Sequence, residues 1–150
     1  MDVKKLNPFS RSYFLSEDIL ALSQDLLGHY IVTSFEKNTC IAKIVELEAY
    51  KAPLDKGSHA YQNKRTKRTE VIFGEGGHAY VYLCYGIHEM FNLVSGPIDV
   101  AHAILIRAVE PISGKGVMQK RRNKEAGPIL TNGPGTVSYT HLTLPTTPYV

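Results

Sequence analysis

Cysteine is scarce in this chain, and no stretch is apolar enough to cross a membrane. Only two cysteines occur among the 150 residues, Cys40 and Cys84. Each lies in an apolar, strand-like run outside any CxxC or Cys/His pattern, so we expect free buried thiols, with a disulfide as the alternative, and no zinc site. No run approaches the ~20 apolar residues that span a bilayer. The start, MDVKKLNPFSRS, lacks the apolar core of a secretory signal, so we expect a cytoplasmic protein.

A strong net charge is also absent, and the distribution of the charges is more informative than their sum. The formal charge is +3 and the pI is about 8.8, values shared by many proteins that bind no nucleic acid. Basic residues nevertheless form two clusters, one of Lys64, Arg65, Lys67 and Arg68 and the other of Lys115, Lys120, Arg121, Arg122 and Lys124. Such clusters suit contacts to phosphates. A solvated loop and a solvated helix face would give the same pattern.

The chain has no internal repeat and no alternation of strands with long helices, which argues against a doubly wound nucleotide-binding fold. Runs rich in β-branched and aromatic residues predict strands at 29–35, 40–50, 79–85, 87–95 and 102–110. A second helix is predicted at 115–124. At this length one domain is expected. The pattern predicts an α+β fold, a single compact domain around a curved, mostly antiparallel β-sheet with flanking helices.

The first helix is predicted to begin at Ser16. The serine can cap the helix, and the acidic residues that follow it suit the positive end of the helix dipole. Its apolar side is expected to comprise Ile19, Leu20, Leu22, Leu26 and Leu27. Gly28 is expected to end it.

The last residues differ in character from the rest. TVSYTHLTLPTTPYV, at 136–150, has no charged residue and no sustained period. A native strand or a disordered tail could have this composition, but VSYTHLTLPT resembles a translated sequencing adapter. We therefore predict that 136–150 is a non-native tail and that the reading frame is truncated.

Two carboxylates and a phenol are expected to share one face of the strand VELEAY. Side chains alternate along an extended strand, which puts Ile44, Glu46, Glu48 and Tyr50 on one face and leaves Val45, Leu47 and Ala49 for the core. Carboxylates this close repel each other, which raises the pKa of one and suits a base that takes a proton from water. A half-exposed strand with a wet acidic face is the alternative.

The stretch from His59 to Gly86 combines tyrosines with the first basic cluster. Tyr80 and Tyr82 are expected on one face of a strand, where they could offer flat stacking surfaces to bases. An aromatic core with hydroxyls at the surface would look the same. Tyr85 and Gly86 fall between two strands, so we expect a hairpin tip from which Tyr85 projects, as a wedge residue would.

Asn92 and Arg107 interrupt apolar strands, in MFNLV and AILIRAVEP. A polar group in such a run must find a partner, because burying it unpaired costs on the order of a few kcal/mol. A structural hydrogen bond, a surface position and a site role all remain open for each.

These motifs, in this order, resemble the alkyladenine (3-methyladenine) DNA glycosylase family. The similarity extends over roughly residues 8–135, through VELEAY, DKGSHAY, KRTKRTEVIFG, AYVYLCYG, MFNLV and ILIRAVEP. The resemblance implies that 1–135 is a DNA glycosylase domain, incomplete at its C-terminus because the family continues past GPG at 133–135. We therefore expect the chain as written to be poorly expressed or inactive, and the native gene product to be active.

The resemblance also implies residue roles. Glu48 is similar to the general base that activates water, and Arg107 to the residue that helps to place this water and a phosphate. Tyr50, His59 and Tyr82 match positions that hold the extruded base. Asn92 matches the position that obstructs the exocyclic amino group of guanine, and Tyr85 matches the wedge. The basic cluster is expected to contact DNA phosphates: Lys64, Arg65, Lys67 and Arg68.

The implied activity is a hydrolase of base excision repair. It would act as a monomer, without cofactor or metal, on double-stranded DNA carrying damaged purines such as 3-methyladenine, 7-methylguanine or hypoxanthine, in the cytoplasm or, in a bacterium, at the nucleoid. One alternative is a non-catalytic module that binds damaged DNA and is inactive because it is truncated. Another is a carbohydrate hydrolase that pairs Glu46 with Glu48, although neighbours on one strand do not flank a substrate from two sides.

Overall fold

Five antiparallel strands form one sheet in the computed structural model, which describes residues 5–35 and 37–141. The strands are β1 (Tyr30–Phe35), β2 (Asn38–Tyr50), β3 (Ala79–Cys84), β4 (His88–Ser95) and β5 (His102–Ser113). Their order across the sheet is β1-β2-β5-β4-β3, and every neighbouring pair is antiparallel. The predicted α+β fold around an antiparallel sheet is confirmed.

Three helices flank the sheet: α1 (Ile19–Leu26), α2 (Lys115–Arg122) and α3 (Pro134–His141). Short 3-10 turns lie at Arg11–Leu15, Tyr61–Asn63, Glu70–Phe73 and Pro128–Leu130. Helix α1 packs on β2 and β5, and α3 packs on β4, β5 and α2. None of the helices in the described part of the chain has the length and apolar character that a bilayer crossing requires.

Strand β5 is covered on both faces, which explains its nearly continuous apolar sequence. Ile106 packs with residues of β2, α2 and α3, and Ile104 packs with α1. Ala103 packs on the other face, against Tyr80 and a cluster from the segment between β2 and β3. The helices therefore cover one face of the sheet, and the long β2–β3 segment, residues 51–78, covers part of the opposite face.

Helix α1 begins later than the sequence predicts. Its cap is Asp18, whose carboxylate accepts a hydrogen bond from the Ala21 N–H at 3.1 Å, whereas the Ser16 hydroxyl accepts only from the Asp18 N–H. The predicted apolar side is too wide, since Leu20 is 62% exposed and Leu27 lies beyond the last turn. The apolar stripe of a helix this short covers only the residues that meet the sheet.

The predicted alternation along β2 is wrong at two positions. Ile44 is buried, and Val45, expected in the core, is 48% exposed. Ile44 lies opposite Val109 and Glu46 lies opposite Ala108, so Val45 has no opposing residue. This extra residue forms a β-bulge, which shifts the alternation by one. Beyond it the predicted pattern holds for Leu47 and Ala49, which pack toward α1.

Other boundaries move by a few residues. Strand β5 continues to Ser113, and α2 ends at Arg122 rather than at 124. Both cysteines are free thiols, with Cys40 buried and Cys84 half-buried. Helix α3 runs across the boundary predicted after residue 135, and residues 142–150 lie outside the described part of the chain. That domain boundary stays a prediction.

Replacing Asp18 by alanine is expected to lower the free energy of unfolding by about 1 kcal/mol, because the first turn of α1 loses its cap. Ser16→Ala is the matched control and should cost less, since its hydroxyl satisfies no N–H group of the helix. Urea denaturation of both variants measures the difference. A larger loss for Ser16→Ala would contradict this capping assignment.

Stability is expected to fall as the pH drops from about 6.5 toward 4, because a buried histidine must then be protonated. Burial, helped by the charge of Arg121, lowers the pKa of His141 to about 4. Its stabilising contribution is complete above the ordinary pKa of 6.5 and is lost as the pH falls through the lowered value. His141→Gln should flatten this part of the profile, as thermal melting at several pH values would show.

Candidate active site

One row of directly opposed residues crosses the sheet on the face that carries the β2–β3 segment. Glu48 lies opposite Leu105, Leu105 opposite Asn92, and Asn92 opposite Tyr80. Opposed residues of antiparallel strands point to the same side. The row therefore brings a carboxylate, an amide and a phenol from three different strands onto one surface, with an apolar side chain between the first two.

Arg107 reaches this surface through a second bulge. Glu46 lies opposite Ala108 and Leu47 lies opposite Ile106, so Arg107 has no opposing residue on β2. Its Nε donates to Glu46 Oε1 at 3.0 Å and its Nη1 donates to Glu48 Oε1 at 3.1 Å. The guanidinium thus separates two carboxylates that would otherwise repel each other, and these hydrogen bonds, first of all the one to Glu46, raise the pKa of Arg107.

Tyr50 connects this carboxylate pair to a neighbouring hollow. Its hydroxyl donates to Glu48 Oε2 at 2.5 Å, so each oxygen of Glu48 has one partner. Burial and this hydrogen bond raise the pKa of Tyr50, which keeps the phenol protonated and a donor. The Glu48 side chain remains 42% exposed, and water can reach it.

The hollow next to Tyr50 is small, about 40 Å³, and is lined largely by aromatic rings and small residues: Tyr50, Gly57, Ser58, His59, Ile72, Tyr80, Tyr82, Asn92 and Ala103. His59 and Tyr82 meet edge to face with ring centroids 4.5 Å apart, and the Tyr80 and Tyr82 centroids are 5.5 Å apart. Gly57 lets the backbone approach Tyr50, because a Cβ there would lie 3.3 Å from the ring. Flat aromatic faces edged by hydroxyl, imidazole and amide groups suit a planar heterocycle.

His59 is held in the hollow as a neutral ring. Its Nδ1 lies 3.0 Å from the Tyr80 hydroxyl. Burial lowers the pKa of His59, and the charge of Arg68 lowers it further. Burial raises the pKa of both Tyr80 and Tyr82. The hollow is therefore lined by uncharged aromatic groups at neutral pH.

Asn92 is buried with its amide donors engaged. Its Nδ2 donates to the carbonyl oxygens of Tyr80 at 3.2 Å and of Met90 at 3.3 Å. The structural hydrogen bond that the sequence left open is thus present. Because Asn92 also lines the hollow, its side-chain oxygen is the polar atom available to a ligand.

Tyr85 projects from the tip of the β3–β4 hairpin, as the sequence predicts. Tyr85 and Gly86 both have positive φ, 51° and 72°, which tightly closes the turn between the two strands. The Tyr85 side chain is 93% exposed. It extends from the same strand that places Tyr82 in the hollow, and so lies near the candidate site without contributing to it.

The four residues of the first basic cluster differ in their surroundings. Arg65 is engaged: Nε and Nη2 bind the Glu70 carboxylate, Nη1 binds Asp99 at 2.7 Å, and the guanidinium lies 4.8 Å from the Phe73 ring centroid. Lys64 and Arg68 line a groove that shares Ser58 and His59 with the hollow. The role of the whole cluster in DNA binding stays a prediction.

In the second basic cluster, Arg121 donates to the Thr140 carbonyl at 2.8 Å and Arg122 to that of Ile129 at 3.4 Å. These two arginines therefore hydrogen-bond α2 to α3 and to the 3-10 turn at Pro128–Leu130.

The structure thus brings Glu48, Arg107, Tyr50, His59, Tyr82 and Asn92 together, although the sequence separates them by up to 59 positions. Tyr85 and the basic cluster lie around this group. Sequence reasoning left Glu46 without a role and missed Ser58, Ile72 and Ala103 in the lining, because small and apolar residues carry no chemical signal. In the described part of the chain no group of three His, Cys, Asp or Glu residues could hold a metal ion.

The amino-acid sequence was also compared with those of known proteins. The model of the methylpurine-DNA glycosylase family matches residues 13–144, nearly the whole chain. The chain belongs to this family. A Chlamydia pneumoniae protein named "Putative 3-methyladenine DNA glycosylase" is 48% identical over 127 residues, which is 83% of this chain and 65% of that protein.

Proteins of the same name are similar in other bacteria. The one from Natranaerobius thermophilus is 47% identical over 83% of this chain and 64% of its own length, and the one from Bacillus mycoides is 44% identical over 81% and 63%. The chain spans just under two thirds of the length of these relatives. The resemblance read from the motifs is confirmed as family membership.

Arg65→Gln is expected to lower the melting temperature by a few degrees, because it removes the ion pairs to Glu70 and Asp99 that fix the loop over Phe73. Lys67→Gln removes the same charge from the same loop and is the matched control. Thermal melting followed by circular dichroism tests the pair. Equal melting temperatures for the two variants would show that Arg65 does not organise this loop.

Proposed function

We propose that this chain carries the active site of a monofunctional DNA glycosylase of base excision repair, an enzyme that hydrolyses the N-glycosidic bond of alkylated or deaminated purines. Bases of the 3-methyladenine, 7-methylguanine and hypoxanthine type are the proposed substrates. One observation carries the proposal: Glu48, water-accessible and held by Arg107, is hydrogen-bonded to Tyr50, whose ring forms a wall of the aromatic hollow. A candidate base and a candidate pocket for a heterocycle are thus adjacent.

The proposed reaction begins with extrusion of the damaged nucleotide from the duplex. A base inside the stack is inaccessible, and a damaged or mispaired base costs least to unstack. The extruded base would enter the hollow between the rings of Tyr50, His59 and Tyr82, which must separate to admit it. Tyr85 would fill the space left in the duplex, since it is nearly fully exposed at the hairpin tip.

Hydrolysis would then proceed at the sugar carbon bonded to the purine. That carbon–nitrogen bond breaks, and its electron pair leaves with the base. A water molecule adds its oxygen to the carbon while Glu48 takes the proton. The sugar develops oxocarbenium character, which the nearby carboxylate stabilises. Arg107 would hold Glu48 and help to place the water and a phosphate.

Asn92 would contribute to selectivity. Its amide nitrogen is held by two backbone carbonyls, so the side chain cannot easily turn away from an incoming base. We propose that it obstructs the exocyclic amino group of guanine, a steric penalty that hypoxanthine and 3-methyladenine escape. 7-Methylguanine carries the same amino group and shares the penalty, but its positive charge weakens the bond to the sugar.

The same geometry disfavours a carbohydrate hydrolase. Two carboxylates that cleave a glycoside lie on opposite sides of the scissile bond. Glu46 and Glu48 instead lie on one strand, on one face, and bind the same guanidinium. A module that only binds damaged DNA is distinguished from an enzyme by the experiment below.

The proposed partner is double-stranded DNA, bound by a monomer in the cytoplasm or at the nucleoid. Lys64 and Arg68 are exposed and line the groove beside the hollow, and Lys67 is exposed on the same loop. Phosphate contacts from these residues would make binding fall with salt.

Glu48→Gln is expected to reduce excision of hypoxanthine from a duplex by roughly a hundredfold to ten-thousandfold, because the amide cannot accept the proton. Binding to the same duplex should survive. Excision is measured by cleaving the abasic sites formed, and binding by fluorescence anisotropy with a labelled duplex. Glu110→Gln, which removes a carboxylate paired with Lys43 elsewhere on the sheet, is the control.

If the unmodified chain binds damaged duplex and forms no abasic site, the chain is a module that binds damaged DNA without excising the base. If Glu48→Gln and Glu110→Gln excise equally well, the assignment of Glu48 as the base is wrong.

A further inference from the structure

Arg68 lies against the aromatic wall of the hollow. Its guanidinium carbon is 5.2 Å from the centroid of the Tyr82 ring, within the range of a cation–π contact. Arg68 also lines the groove that shares Ser58 and His59 with the hollow. A base stacked on Tyr82 would therefore lie close to a positive charge.

This charge is not neutralised, unlike those of two other arginines near the site. Arg107 is paired with Glu46 and Glu48, and Arg65 with Glu70 and Asp99. No ion pair of Arg68 occurs among residues 5–35 and 37–141.

The positive charge of Arg68 acts on side chains that line the hollow. Burial lowers the pKa of His59, and Arg68 lowers it further, while for Tyr80 the same charge opposes the upward shift that burial causes. Water screens the exposed guanidinium in the free protein, but a duplex docked over the hollow would exclude that water and strengthen the field.

We propose that Arg68 is a specificity-determining residue that favours neutral damaged purines over cationic ones. The inference rests on the proposed glycosylase function. A positive charge beside the stacking face repels a purine that already carries one, such as 7-methylguanine, and does not repel a neutral purine such as hypoxanthine.

The charge also acts differently on the two reactions. When the bond to a neutral purine breaks, the departing electron pair makes the base an anion, which the guanidinium stabilises. When the bond to a cationic purine breaks, the same electron pair neutralises the base, so no anion forms that Arg68 could stabilise. In both cases water supplies oxygen to the sugar and Glu48 accepts the proton. Binding and bond cleavage thus favour the neutral substrate.

The competing role for Arg68 is a phosphate contact, whose strength would not depend on the charge of the base. Loss of a phosphate contact weakens all duplexes alike and reduces the salt dependence of binding by about one counterion. Loss of a charge that acts on the base changes the ratio between substrates. The two roles therefore predict different measurements on the same variant.

The experiment compares excision by the 150-residue chain, Arg68→Gln and Lys67→Gln at protein concentrations below saturation, where rates report kcat/KM. One duplex carries a single hypoxanthine, and the other is methylated with dimethyl sulfate so that it contains 7-methylguanine. We expect the hypoxanthine to 7-methylguanine ratio to fall about tenfold in Arg68→Gln. Lys67→Gln removes the same charge from the same loop, at a residue with no cation–π contact in the described part of the chain, and should leave the ratio unchanged.

A ratio that stays the same in Arg68→Gln, with both rates reduced and a smaller salt dependence, overturns the inference in favour of a phosphate contact. Excision of 7-methylguanine without any of hypoxanthine by the unmodified chain also overturns it. Absence of excision from both duplexes would instead overturn the proposed function of this chain. Should Arg68→Gln melt at a lower temperature than the parent, Arg68→Met, which keeps an unbranched stem against Tyr82, replaces it in the comparison.

Discussion

The bridge from Arg107 to Glu46 and Glu48 is the interaction on which the rest of the site depends. Two carboxylates on one face of a strand repel each other, and a single guanidinium between them turns that repulsion into an ion-pair cluster. The bridge exists because Val45 on β2 and Arg107 on β5 each have no opposing residue in the pairing of these two strands. Bulges of this kind re-aim side chains, and here they bring a cation to the acidic face.

The site is a property of the whole sheet rather than of one motif. The row through Glu48, Leu105, Asn92 and Tyr80 crosses four strands, and its spacing follows from antiparallel register. The β2–β3 segment then folds back over this row and adds His59 to it. A shift in the pairing of β5, the central strand, would therefore separate the carboxylate from the aromatic hollow.

Residues that look equivalent in the sequence have different electrostatic roles in the fold. Arg65 and Arg68 stand three positions apart in one basic run. Arg65 is neutralised by two acids, whereas Arg68 lies on Tyr82 and has no ion pair among residues 5–35 and 37–141. The difference decides which charge can act on a ligand. A count of basic residues cannot make this distinction, because it depends on where the acids of distant segments come to lie.

The amino-acid sequence by itself determined the strands, the shared face of Glu48 and Tyr50, the exposed tip at Tyr85, and, through the order of its motifs, the family. These features follow from local alternation, turn chemistry and residue type. The bulge at Val45, the Asp18 cap and the charge pairing of the arginines were decided only by the tertiary structure. Each of them depends on which distant residue lies opposite, and that is set by packing and register across the sheet rather than by neighbours along the chain.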